Sequence, residues 1–421
     1  MGPLKQRMDW ASPELALKLV RSGRFEGKNR RQMELAAAIK KLMKDASCAE
    51  DYRAARKLVG DLRTVSRGSW FIEGSIRERD HLLAKFEAGD YVYDLCFSPD
   101  GRRLAVGSGD GFVWFLSLDG LRGKKPEVLG RFEVGSWVTA VHFSRDGSHL
   151  AVAAEDGRMR IITAPVRKGD QATALKPLLP SRKPRGEGSI PRSAVRFSPD
   201  DTMVAHGNLK GLRAAFVGGF NDPFLDPIIS DFRDDDGSLK GLQATAVDFD
   251  PCSKVLAASF IDGYIRIYSV DGLWDAAKPE LLAERHVTPK IWALRFSPLE
   301  GLLAVGYENG WVTLLACDEE LLSGRRGKLI PLARLDISGT VEALDFCPCT
   351  ELLAVGSSSY RVEVLSYREI DRGLKTVAVW DERPEWVSAV AFSPDGEKLA
   401  VGSSRYVRVF GRRPDPLLAN P

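Results

Sequence analysis

The feature that most constrains this chain is a unit repeated seven times. Alignment on Phe97, Phe143, Phe197, Phe249, Phe296, Phe346 and Phe392 gives spacings of 46, 54, 52, 47, 50 and 46 residues. Self-similarity at such a period signals an array of like modules, each unable to bury its apolar face alone. Two residues after the phenylalanine stands Pro99, Pro199, Pro251, Pro298, Pro348 or Pro394, with Arg145 in the second copy. Seven residues after it stands a leucine or valine (Leu104, Leu150, Val204, Leu256, Leu303, Leu353, Leu399). Eight residues after it stands alanine in every copy: Ala105, Ala151, Ala205, Ala257, Ala304, Ala354 and Ala400.

One copy can be read physically. WVTAVHFS (137–144) is a β-branched and aromatic run, which predicts a strand. SRDG (144–147) supplies turn residues; other copies read SPDG. HLAVAAE (149–155) is almost wholly apolar, as a strand buried on both faces must be. Asp156-Gly157 predicts a hairpin turn, and RMRIITA (158–164) alternates as a half-exposed strand does. Thirteen residues past each phenylalanine the turn position reads Asp110, Asp156, Lys210, Asp262, Asn309, Ser359 and Arg405. Glycine follows in the first five copies, Tyr360 and Tyr406 in the last two.

A fourth strand precedes later copies, as EVLGRFEVG (127–135), ELLAERHV (280–287), KLIPLARLD (328–336) and LKTVAVWDE (374–382). HLLAKFEAG (81–89) resembles the first of these but precedes the first copy, whereas YVRVFGRR (406–413) has no such strand after it. Pairing 81–89 with the last copy closes a ring and removes the open sheet edges. The expected fold is therefore all-β, a seven-bladed β-propeller over 81–413, with a helical segment over 1–80 and a tail over 414–421.

These residues resemble WD repeats, and in detail the divergent repeats of the echinoderm microtubule-associated protein-like family. The resemblance rests on VYDLCFSPDGRRLAVGSGDGFV (92–113), WVTAVHFSRDGSHLAVAAEDG (137–157) and WVSAVAFSPDGEKLAVGSS (386–404). The Gly-His pair ahead of each WD repeat is missing, and Trp274-Asp275 and Trp380-Asp381 do not end a third strand. The resemblance implies tubulin or another cytoskeletal protein as partner.

Charge is divided along the chain. Residues 1–80 hold 18 Lys/Arg against 11 Asp/Glu, the remainder 42 against 46. Ser12-Pro13 opens a helix, apolar Leu35, Ile39, Leu42 and Met43 share one face of a second over 31–44, and Ser47 caps a third over 48–66. These stripes pack on the propeller or form a partner-binding arm. No aromatic stacking pattern accompanies the basic residues, so nucleic acid is not expected. No run of about 18 apolar residues exists, and membrane insertion is not expected. Six scattered cysteines and a polar N-terminus fit a reducing compartment, so cytoplasmic location with cytoskeletal association is expected.

Catalytic signatures are missing: no G-x-S-x-G, phosphate-loop or H-E-x-x-H pattern occurs. Cys347 and Cys349 stand where other copies have turn residues, which favours a turn over a metal or redox pair. DFRDDDG (231–237) fails the calcium-loop register, and His206 occupies a core slot. Segment 218–243 reads as an acidic surface excursion, and 165–192 as its basic counterpart. No metal or cofactor is expected. Six residues before the phenylalanine, however, three consecutive blades of the ring carry Tyr91, Trp137 and Trp386, where the others have Pro191, Gln243, Lys290 and Thr340. With Tyr93 and Arg405 these make a candidate partner-binding arc, since tyrosine, tryptophan and arginine dominate interface hot spots; the competing reading is packing between blade tops. The function expected is a non-catalytic protein–protein interaction scaffold, with no enzyme activity. The rivals are an enzyme using axial Asp94, Asp248, Asp345 and Glu342, or an obligate subunit of a larger complex.

Overall fold

Each landmark phenylalanine ends an inner strand: Val92–Phe97, Val138–Phe143, Ala194–Phe197, Ala244–Phe249, Ile291–Phe296, Val341–Phe346 and Val387–Phe392. A computed structural model describes residues 82–411 apart from 122–124, 175–193, 209–210, 218–228, 232–243, 272–279, 300 and 383–384. The helices expected over 12–67, and most of segments 165–192 and 218–243, lie outside the described residues.

The inner strands begin seven antiparallel sheets, here blades 1 to 7 in chain order. Blade 1 adds Arg103–Ser108, Phe112–Ser117 and Glu127–Glu133, and the other blades repeat that order. Blade 2 shows three strands, with a single bridge from Ile162 to Ala174 beyond them. In blade 3 the outermost strand is Ile229–Asp231, so part of the segment read as a surface excursion completes a sheet. The inner strand of every blade contacts that of the next, and blade 7 contacts blade 1. The fold is the all-β seven-bladed propeller that the repeat predicted. Blade 7 is finished by Leu82–Glu87, which pairs antiparallel with Tyr406–Gly411.

Burial follows the radial order. The second strands of blades 1, 4, 5 and 6 are buried at every position. The outer strand Leu329–Asp336 exposes most of its side chains. The recurring alanine joins the apolar cluster between its own blade and the next: Ala105 packs with Val138, Val141 and Phe143, and Ala304 with Val341, Leu344 and Phe346. Two residues further on, Gly107 and Gly402 mark a closer approach. A Cβ at Gly402 would stand 2.7 Å from Val92 Cγ1, and one at Gly107 2.8 Å from Val138 Cγ1. Gly207, Gly306 and Gly356 repeat this arrangement. The second strand of one blade thus receives the start of the next inner strand, which fixes how tightly the ring can close.

The turns after the inner strands are tied by side chains. Ser144 Oγ donates to Asp146 Oδ1 (2.6 Å) and accepts from His149 N (3.0 Å). Blade 4 places Asp250 there, and its carboxylate accepts from the backbone N–H of Cys252, Lys254 and Val255. Blade 6 places Cys347 and Cys349 in the same turn, both buried, and burial pushes the Cys347 thiol up to about 12. The turn between second and third strands differs from the sequence alignment in its last copy. Tyr360 takes φ +68°, as the glycines do, whereas Ser403 pairs with Tyr406 and leaves a two-residue turn in which Ser404 takes φ +44°. Arg405 is therefore a turn residue, and Tyr406 is already in the third strand.

Candidate functional site

The turns between second and third strands share one end of the ring with the links that enter the inner strands. Backbone bonds lock the two together: Gly109 N–H donates to Tyr91 O (2.7 Å) and Glu155 N–H to Trp137 O (2.9 Å). The residue six before the phenylalanine is therefore held at a fixed place. In six inner strands the ladder also shifts register one residue further in, as between Val92 and Asp94 or Val138 and Ala140. A bulge of this kind sets one residue off the ladder and re-aims its side chain. In blade 1 that residue is Tyr93.

The result is a three-ring stack across two blades. The Tyr93 ring lies 6.3 Å from Tyr91 at 30° and 6.0 Å from Trp137 at 22°. Such offset pairs contribute about 0.5–1.5 kcal/mol each beyond their buried area. Tyr93 is half-buried beside Gly109, where a Cβ would come within 3.2 Å of its ring. The outer two rings stay open to solvent, Tyr91 by 44% and Trp137 by 39%. Trp386 enters blade 7 at the equivalent position and is 51% exposed. Arg405, on the blade 7 turn, pairs with Glu87 at 3.9 Å, both more than half exposed. The structure thus joins Tyr91, Tyr93 and Trp137 in one stack and sets Trp386 and Arg405 on the neighbouring blade without a described ring contact to it. The equivalent position in blade 6, Thr340, donates from Oγ1 to Glu308 O (2.9 Å). Pro191 and Gln243 lie outside the described residues. Sequence reasoning missed Trp292, the half-buried bulge residue of blade 5. Its offset from the landmark phenylalanine is that of Tyr93, which was the available signal.

The axial carboxylates have a different use. Asp248 Oδ2 accepts from Phe296 N (2.8 Å), Asp345 Oδ2 from Phe392 N (2.7 Å) and Asp94 Oδ2 from Val141 N (3.0 Å). His142 Nδ1 accepts from Phe197 N (3.1 Å), which places the ring proton on Nε2. Each bond runs from one inner strand to the next, so these side chains act as clasps between blades. Burial holds His142 well below the ordinary imidazole range, and nearby Arg196 adds to that. Burial likewise raises Asp94, against the pull of Arg196 and two backbone N–H groups. Asp248, with Arg196 Nε 3.8 Å away, is pushed up to about 7 by burial. His206 is 1% exposed and burial pushes it down to about 4, so it is a neutral core residue.

Asp248 gives stability a pH dependence. A carboxyl raised from 3.8 to about 7 binds its proton more tightly folded than unfolded. Its contribution is complete below pH 3.8 and is lost as pH rises to about 7. Asp248→Asn retains an acceptor for Phe296 N–H but has no proton to lose. His142 and His206, both held low by burial, raise stability over the same range in either protein, so the prediction is a difference: in urea unfolding between pH 4 and 7, Asp248→Asn is expected to gain on wild type by up to ~1.4 kcal/mol per pH unit. Parallel profiles would remove Asp248 as the cause.

Residues 81–115, 127–163 and 374–410 match the family model described as WD domain, G-beta repeat. The matched segments cover most of blades 1 and 2 and the last blade, including the Leu82–Glu87 strand that closes it. Taken with the seven like sheets in one ring, they support a single conclusion: the protein is a seven-bladed β-propeller that carries WD-type repeats in these three segments, a fold typical of protein-interaction scaffolds.

Proposed function

We propose that this protein is a non-catalytic docking scaffold that holds a protein or peptide partner against Tyr91, Tyr93, Trp137 and Trp386, with Arg405 at the margin. The observation that carries the reading is the exposed aromatic arc, part of which is stacked on Tyr93. Three aromatic side chains, each 39–51% exposed, stand on consecutive blades where other copies have non-aromatic residues. Rigid aromatic rings lose little conformational freedom on binding, which suits them to anchor a partner. The axial carboxylates support the non-catalytic part, since Asp94, Asp248 and Asp345 each accept a backbone N–H from the next blade. The resemblance of 92–113, 137–157 and 386–404 to echinoderm microtubule-associated protein-like repeats supports a cytoskeletal partner in the cytoplasm, tubulin or a centriolar protein.

The test is affinity purification from native cells with wild type and a variant carrying alanine at Tyr91, Trp137 and Trp386. The variant loses the two ring pairs on Tyr93, ~1–3 kcal/mol in all, so both proteins are compared at a temperature where each is fully folded. A hot-spot side chain contributes about 2 kcal/mol or more, so recovery of the partner should fall at least thirtyfold. If the variant unfolds and its surviving folded fraction recovers the same proteins, the rings are packing; if it stays folded and recovers the same proteins, they are not a docking face.

A further inference from the structure

The interface between blades 4 and 5 opens outward into a groove of about 390 Å³. Its floor belongs to the apolar cluster shared by the two blades, against which Val287 and Trp311 are packed. One wall is the end of the outer strand Leu281–His286 of blade 4, and the other is Leu329–Asp336 of blade 5. Leu332 stands in that second wall, 44% exposed, where the strand slips register. Apolar surface at the bottom of an open cleft is how extended peptides are held.

The charge of the groove is one-sided. Arg285 and Arg334 line it, and no aspartate or glutamate does. The Arg334 guanidinium carbon sits over Trp311, 4.0 Å from the ring centroid, a cation–π contact that holds the group at the groove. Arg285 donates from Nη1 to Leu329 O (3.2 Å), which leaves its remaining N–H groups available. Glu284, the nearest carboxylate in sequence, is turned to Arg266 at 3.8 Å. Both arginines line the groove together with Tyr307, whose hydroxyl burial raises against a hydrogen bond with Thr313 and the charges of Arg285 and Arg334. Elsewhere in the propeller Arg160, Arg266 and Arg408 each have a carboxylate. Arg285 and Arg334 have none among the described residues.

We propose that this groove binds an extended acidic peptide of a partner protein, its carboxylates taken by Arg285 and Arg334 and an apolar side chain by the floor between Val287, Trp311 and Leu332. Guanidinium groups suit carboxylates, which they grip with paired N–H donors. The site is on the rim of blades 4 and 5, away from the aromatic stack of blades 1 and 2.

The test uses the full chain and a fluorescein-labelled octapeptide alternating glutamate and leucine, read by fluorescence anisotropy. The same peptide with glutamine for glutamate is the control. Wild type is expected to bind the acidic peptide at least tenfold tighter than the control. R285Q and R334Q are each expected to weaken binding tenfold or more without lowering the melting temperature. The Tyr91, Trp137 and Trp386 alanine variant should bind the peptide as wild type does, so failure of the aromatic face and of this groove can be told apart. The proposal is overturned if wild type does not prefer the acidic peptide, or if both arginine variants bind it unchanged. Should either variant lose stability, protection of backbone N–H exchange over 329–336 by the peptide in wild type replaces it, and absence of protection is the negative result. A phosphoserine-for-glutamate peptide that binds tenfold tighter still would overturn the carboxylate assignment.

Discussion

A chain beginning at residue 90 is expected to be less stable than one beginning at residue 82 by ~3–6 kcal/mol from the burial of Leu83 and Phe86 alone. Those side chains are 5% and 3% exposed in the strand that completes blade 7. Phe86 also tilts against Trp114 of blade 1, its ring centroid 5.7 Å away, so the strand closes the ring as well as the sheet. The link that follows is tied down too, with Ala88 N–H donating to Arg405 O (2.8 Å). Removing the strand leaves blade 7 with three strands and an open edge on Tyr406–Gly411, which favours pairing with other chains. Denaturant unfolding and light scattering on the two truncated proteins measure both effects. Superimposable unfolding curves would mean that Leu82–Glu87 does not hold the ring shut.

Phe115→Ala is expected to destabilise the propeller by ~3–5 kcal/mol, the usual range for emptying a fully buried aromatic site. Phe115 has no exposed surface and meets Phe143 edge-on at 6.4 Å. Its cluster draws on blade 1 through Leu129 and on blade 2 through Val141, Leu150 and Ile162. The cavity would therefore open between blades, where the rigid sheets on both sides cannot collapse to fill it. Thermal unfolding reads the loss as a drop of ~2–4 °C per kcal/mol for a domain of this order. Combining it with Phe143→Ala should cost less than the sum of the two, because both empty one cavity. Additive losses would place the two rings in separate cores.

The fold was legible because a ring of like blades must repeat its buried positions at fixed offsets, and the seven phenylalanines and alanines do so. Closure was legible because 81–89 carries the pattern of an outer strand with no blade before it. The turns of the last two copies were not, because Tyr360 and Ser404 adopt positive φ without the glycine that announces it. The close-approach glycines were masked by Ala153 and Ser259 at the same offset in two blades. Of the candidate site, the three exposed rings were placed by alignment, but their joining was not: it depends on the bulge at Tyr93, which no residue type signals. The clasps of Asp248 and Asp345 are also invisible in sequence, since each bonds a backbone group in another blade. The groove between blades 4 and 5 pairs Arg285 with Arg334 across two blades, and no repeat offset relates them.

The central claim is that the stacked end of the propeller is the docking face. It is tested most directly by placing a photo-crosslinking p-benzoylphenylalanine at Trp137 or Tyr91, and separately at Arg102, an exposed residue at the opposite end of blade 1. After irradiation in native cells, the adducts are identified by mass spectrometry. The account predicts discrete protein adducts from positions 137 and 91 and none of them from 102. The same adducts from position 102, or adducts from 102 alone, would contradict it.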